Sequence, residues 1–147
     1  MIALMLPFAL MSTQPRDCFA KEIMNGVSVL RYLGDRKCID FQPPRIFHGV
    51  YVDEFEGQAY YDGATSIEEI RRRGDNVWFS VDDETRFSAH FKGRGFRSPA
   101  YLVTFRGREA TDMDREPLKG YGHMGMSAGV VLVDELIEAK PLGPTRD

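Results

Sequence analysis

Alternating apolar and polar positions begin at Arg45 and predict a chain made mostly of β-strands. Residues 46–53 have a period of two, which is typical of a strand with one solvated face. Residues 55–61 continue in the same way, with Gly57 placed at a turn or a bulge, so the two segments are predicted to pair as a hairpin. Further strands are predicted at 76–81, 86–91, 100–106 and 130–133.

One short helix is predicted near 65–73. Thr65 and Glu68 fit a capping box, in which each side chain bonds to the other residue's backbone amide. Gly74 is placed to end the helix. The segment 134–140 contains helix-forming residues, so it is either a bent continuation of the last strand or a second helix.

This pattern predicts a mainly β fold in a single domain, residues 21–147. About six short strands and one helix form either a small antiparallel barrel or a sandwich. A partly open barrel with a helix between strands resembles the oligonucleotide/oligosaccharide-binding (OB) type. A resemblance at the level of the fold does not imply a function.

An uninterrupted apolar run at 1–11 predicts a leader, residues 1–20. The run is as long as the apolar region of a signal peptide and shorter than the roughly 20 residues that span a bilayer. We therefore expect export to the periplasm or the medium and no transmembrane span in the mature chain. No basic residue precedes the run, and cleavage after Thr13 or after Ala20 would fit, so a cytoplasmic location is the alternative.

Two cysteines bear on whether the protein is exported. If Cys18 survives processing, it can pair with Cys38 in an oxidising compartment and close a loop of about 20 residues. The alternative is two unrelated thiols in a cytoplasmic protein. Neither cysteine lies in a CxxC motif, so no zinc or redox site is indicated.

Overall charge weighs against a polyanionic partner. The formal charge of the 147 residues is -3, which provides no general attraction to nucleic acid or anionic membranes. Its distribution is uneven, because the charged residues of 46–70 are all acidic and those of 86–108 are all basic. Either the two segments face each other across neighbouring strands, or the basic one binds a single-stranded nucleic acid or an anionic glycan.

The segment around His123 is the most site-like part of the sequence. Glycines flank Tyr121 and His123, so backbone amides and an imidazole could both reach a ligand. The alternative is a tight structural loop. Gly125 to Gly129 match the GxSxG motif of serine hydrolases, but a β-branched run follows Ser127 where that motif needs a helix.

Candidate catalytic residues are His123 with Glu56 or Asp53, as acid and base in a small hydrolase. Candidate ligand-binding residues are Tyr121, His123, Arg94, Arg97 and Arg106. The three histidines, at 48, 90 and 123, have no metal-ligand spacing, so neither a metal nor a cofactor is expected.

The pattern Phe55-Glu56-Gly57 together with Tyr121 to Gly125 resembles a group of small uncharacterised bacterial exported proteins. The resemblance covers about residues 45–139 and implies export, with no activity attached. Three hypotheses follow from the sequence. The first is a non-enzymatic binding or accessory protein that recognises a protein or an envelope component through its sheet surface or the 120–126 loop. The others are the small hydrolase and the anion binder.

Overall fold

The computed structural model describes residues 18–33, 36–54, 57–82, 91 and 99–145. Within them the chain forms seven strands, one short helix and two 3-10 turns, at Arg36–Cys38 and His123–Gly125. The strands are β1 (Phe19–Met24), β2 (Val27–Tyr32), β3 (Arg45–Glu54), β4 (Gly57–Asp62), β5 (Val77–Val81), β6 (Pro99–Glu109) and β7 (Val130–Pro144), and α1 is Ile67–Ile70. The mainly β prediction is confirmed.

Five of the strands close a barrel in the order β3-β4-β5-β7-β6. The barrel prediction is confirmed, but two details of it are wrong. The barrel is closed rather than partly open, and β5 and β7 pair in parallel. The parallel contact arises because β6 lies between β3 and β7, which leaves β7 beside β5, a strand that runs in the same direction. The alternation reveals strands but not their order. The sandwich alternative is excluded.

The barrel interior is aromatic. Inward positions of β3 carry Phe47 and Tyr51, as the period of two predicts, and they meet Tyr60, Phe79 and Phe105 from the other strands. The ring centroids of Tyr51 and Phe79 lie 4.5 Å apart, and those of Phe47 and Phe105 lie 5.0 Å apart. Stacked and edge-to-face pairs of this kind add to the stability gained from burial.

Burial raises the pKa of Tyr60 far above its ordinary value, and the nearby Asp62 carboxylate adds to the effect. The hydroxyl donates to Asp62 Oδ1 over 3.0 Å. Because the folded state favours the protonated phenol, Tyr60 stabilises the fold below the unfolded-state pKa of about 10 and loses that contribution as the pH rises further. Absorbance at 295 nm should show Tyr60 still protonated at pH ~11, so Tyr60→Phe should remove no phenolate signal there. A loss of one phenolate in the variant would contradict this.

The helix α1 is shorter than predicted and its cap is shifted by one residue. Ser66 is the N-cap and its hydroxyl accepts from Glu69 N, while the Glu69 carboxylate accepts from Thr65 N. Ile70, 5 % exposed, packs against Val50 and Ala100, which are buried on the outer faces of β3 and β6.

The second helix considered at 134–140 does not form, because β7 continues through the whole segment to Pro144. The register against β6 shifts between Arg106 and Gly107 and leaves Asp134 as an extra residue. The strand predicted at 86–91 falls outside the described residues except for Phe91, which is buried against Tyr51 and Tyr101.

A separate hairpin, β1–β2, precedes the barrel and was not predicted. Its turn is Asn25-Gly26, both with positive φ, which the hairpin twist requires. A disulfide between Cys18 and Cys38 joins its base to the segment before β3. The predicted domain boundary at residue 20 lies inside β1, and cleavage after Ala20 would remove half of the disulfide. In the described part of the chain, no helix is long and apolar enough to cross a membrane.

Candidate functional site

The loop at 110–129, between β6 and β7, contains two of the candidate residues, Tyr121 and His123, and rests on a cluster outside the barrel. This cluster combines the disulfide with Ala110, Tyr121 and Val130, and Trp78 packs against it. Phe79, the next residue on β5, faces the barrel interior. Trp78 therefore points outward, and the loop lies on the outer surface of the sheet.

Tyr121 anchors the loop. It is 2 % exposed, and its hydroxyl donates to the carbonyl of Asp112 over 2.8 Å. Its backbone exchanges two hydrogen bonds with Ser127, of 2.8 and 3.0 Å. Arg115 lies over the Tyr121 ring, 4.4 Å from the centroid, and forms an ion pair with Asp112. Tyr121, whose ring was predicted to bind a ligand, is thus buried and supports the loop.

Gly122 has a φ of 69° and packs closely against Trp78. A Cβ at this position would overlap the indole ring. The glycine serves two purposes, because it adopts the left-handed conformation and allows the backbone to approach the ring closely. The sequence-level interpretation of a tight structural loop therefore holds for this half of the segment.

The other half forms the exposed tip. His123 is exposed, and Met124 and Met126 are 59 % and 57 % exposed. The loop below them is held by backbone bonds, including Gly120 N to Gly125 O at 3.0 Å. The three exposed side chains therefore lie on an ordered turn.

We expect Gly122→Ala to displace the loop and lower the free energy of unfolding by about 2 kcal/mol, because the methyl group overpacks against Trp78 and the positive φ is strained. Gly63→Ala is the matched control, since Gly63 has a φ of 72° and open space around it. That variant should cost only about 1 kcal/mol. The chain has a single tryptophan, so the fluorescence of Trp78 should change in Gly122→Ala alone. Equal losses of stability and unchanged emission in both variants would show that the loop does not rest on Trp78.

The predicted acid-base pair is not assembled among the described residues. Asp53 continues the inward-facing positions of β3 and accepts a hydrogen bond from the Tyr51 hydroxyl over 3.2 Å. The loop of His123, by contrast, lies against the outer face of β5. Glu56 lies outside the described residues, so the hydrolase hypothesis stays a prediction.

The candidate arginines are likewise not brought together with His123 in the part of the chain that the structure describes. Arg94 and Arg97 lie outside the described residues. Arg106 is on β6, where its Nε lies 3.7 Å from Glu135 Oε2. Because β7 separates β6 from β5, Arg106 and the loop of His123 rest on different strands of the barrel.

The strands β3 and β6, which belong to the acidic and the basic segment, are neighbours in the barrel, as the simpler interpretation expected. The ion pairs of the described residues in these segments involve other parts of the chain. Arg106 and Arg108 both pair with acids of β7, and the hydrogen bonds from Arg108 to Asp134 raise the pKa of Arg108. The acidic segment finds a basic partner in Arg45, which binds Asp62 and Glu109.

A third ionic cluster lies over β5, where Arg36 contacts Ser80 and forms an ion pair with Asp82. His48 shares a 3.0 Å hydrogen bond with Thr104, and His90 lies outside the described residues. In the described ranges, no three or more His, Cys, Asp or Glu side chains are grouped to hold a metal ion.

The hairpin β1–β2 is the functional candidate that the sequence analysis missed. Six of the ten large apolar side chains that are exposed in the described residues belong to it or to its base: Phe19, Ile23, Met24, Val27, Leu30 and Leu33. The pair Asn25-Gly26 between two apolar-rich runs is a strong hairpin signal. The predicted leader, residues 1–20, overlaps the first two residues of this hairpin.

Apolar side chains are exposed on both faces of the hairpin. The pairing places Ile23 and Leu30 on one face and Met24 and Val27 on the other, and all four side chains are exposed. Both faces of the hairpin therefore present apolar side chains to solvent. Comparison of the chain with protein-family models, with curated protein sequences and with solved structures gave no match.

Proposed function

We propose that this protein is an exported, non-enzymatic binding protein that docks on another protein through the β1–β2 hairpin. The observation that supports this most is the concentration of exposed apolar side chains on that hairpin, from 41 % for Phe19 to 78 % for Ile23. Large contiguous apolar surface on a soluble protein typically marks a site of association.

Stability considerations favour a partner. A two-stranded hairpin solvated on both faces is marginally stable in water. Covering one of its exposed isoleucine, leucine or valine side chains contributes about 1.5–3 kcal/mol at full burial. An apolar surface on the partner would therefore stabilise the hairpin as it binds.

The charges of the hairpin favour a protein over a membrane or a nucleic acid. Glu22 and Arg31 form an ion pair of 2.7 Å in the middle of the hairpin, and Lys21 lies on the opposite face, across from Leu30. Such a pair opposes insertion into a bilayer. Because Glu22 neutralises Arg31, the hairpin also has too little positive charge to bind phosphates. Strand addition along an edge of the hairpin is the mode of docking that suits this geometry.

Export is supported by the disulfide, because disulfides persist in oxidising compartments. Cys18 belongs to it, so the mature chain would retain residue 18. Cleavage after Thr13, the earlier of the two sites that fit the sequence, is compatible with this requirement.

Site-specific photo-crosslinking tests the proposal. A photoreactive phenylalanine analogue at Ile23 should give a discrete protein adduct in extracts of the source cells, and the additional change Leu30→Ser on the same face should reduce its yield. Ile46 is the matched control, because it is also an isoleucine on a strand and is 46 % exposed. Equal adducts from both positions, or none from Ile23, would contradict docking through the hairpin.

A further inference from the structure

The tip of the 110–129 loop presents three soft donor atoms on four consecutive residues. His123 provides an imidazole nitrogen, and Met124 and Met126 each provide a thioether sulfur. All three side chains are exposed. Long apolar methionines are more often found inside a protein, so two exposed at one turn need an explanation.

The backbone brings these residues together. Met126 N donates to His123 O over 3.2 Å, which closes a single turn around Met124 and Gly125. Neighbouring Cα atoms lie about 3.8 Å apart, so the three side chains start close together on one turn.

Met124 also adopts a conformation that its side chain disfavours. Its φ and ψ are 52° and 18°, in the left-handed region where glycine is the usual residue. A residue with a Cβ is strained there, because the Cβ comes too close to the following carbonyl oxygen. Strain of this kind is found most often at functional sites. The gain from a thioether at the tip would account for methionine at a position that suits glycine.

We infer that the tip, His123 with Met124 and Met126, is a binding site for a soft monovalent metal ion, Cu(I). Thioether sulfur is a soft ligand that selects Cu(I) over harder divalent ions, and imidazole is compatible with it. Both cysteines of the chain are joined in the disulfide, so the thioethers are the soft donors that the protein offers. This site is separate from the hairpin and does not depend on docking.

Trp78 provides a built-in reporter. Gly122, the residue before His123, lies on its indole ring. An ion held at the tip is therefore close to the single tryptophan of the chain, and its binding should quench the emission of Trp78.

Titration with Ag(I) tests the inference, because Ag(I) has the same ligand preference and needs no reductant that would break the disulfide. We expect one equivalent of Ag(I) to bind the intact protein and to quench Trp78. The double variant Met124→Leu/Met126→Leu keeps the volume of both side chains and should weaken binding by about 100-fold or more. Zn(II) at the same concentration should leave the emission unchanged.

Met24→Leu is the matched control, because Met24 is also an exposed methionine, on the hairpin. It should bind Ag(I) as the unmodified protein does. A second readout follows the ε-methyl NMR signals of the methionines, of which those of Met124 and Met126 should shift and that of Met24 should not. The inference fails if the double variant binds Ag(I) as tightly as the unmodified protein, or if the Met24 signal shifts with the others.

Discussion

Phe79→Ala is expected to lower the free energy of unfolding by about 3–5 kcal/mol, the range for truncating a buried aromatic side chain. Phe79 is fully buried at the centre of the barrel. Its ring contacts Tyr51, Tyr60 and Phe105 at centroid distances of 4.5, 5.7 and 5.2 Å. The cavity would open among rings from three other strands, which cannot all relax into it. Urea denaturation followed by circular dichroism measures the loss.

Phe19→Ala is the matched control, because the same side chain is removed from a site that is 41 % exposed. We expect that variant to lose well under half as much stability as Phe79→Ala. Similar losses in the two variants would mean that Phe79 is not at the centre of a closed barrel.

Removing the disulfide is expected to cost about 3 kcal/mol, because it closes a loop of about 20 residues in the unfolded chain. The double variant Cys18→Ser/Cys38→Ser should show this loss in thermal or urea unfolding. Both sulfurs also belong to the cluster beneath the 110–129 loop, so the emission of Trp78 should change together with the stability.

A reductant provides the control for the second prediction. Dithiothreitol should destabilise the unmodified protein to the level of the double variant and should leave the double variant unchanged. If the reductant has no effect on the unmodified protein, the disulfide does not contribute to the stability of the fold.

The barrel was largely predictable because each of its strands has one face in a common interior. The inward positions of β3 follow the period of two, and β4 and β6 were placed correctly on the same basis. The strand predicted at 130–133 forms the start of β7, and its four apolar residues are all buried.

The details that escaped prediction depend on contacts between distant parts of the chain. The parallel pairing of β5 with β7 is decided by where β6 lies. The cap of α1 lies at Ser66, and Ile70 packs against Val50 and Val52 on the outer face of β3. Composition gives no information on either contact.

The candidate sites were predictable only in part. Glycines marked the loop of His123 correctly, yet Tyr121 is part of its support because Trp78 and the disulfide cover the ring. Met124 and Met126 were not singled out, since thioether donors have no characteristic spacing and apolar side chains are expected in a core. Arg106 was placed on a basic surface, whereas β7 supplies Glu135 as its partner.

Hydrogen exchange tests the role of the hairpin most directly, in the protein alone and in complex with the partner captured by crosslinking. We expect the amides of β1 and β2 to exchange much faster than those of β3 and β6 in the free protein, because the hairpin is solvated on both faces. In the complex, the hairpin amides should become protected while those of the barrel stay as they were. Slow exchange of the hairpin in the free protein, or protection of the barrel instead, would contradict docking through β1 and β2.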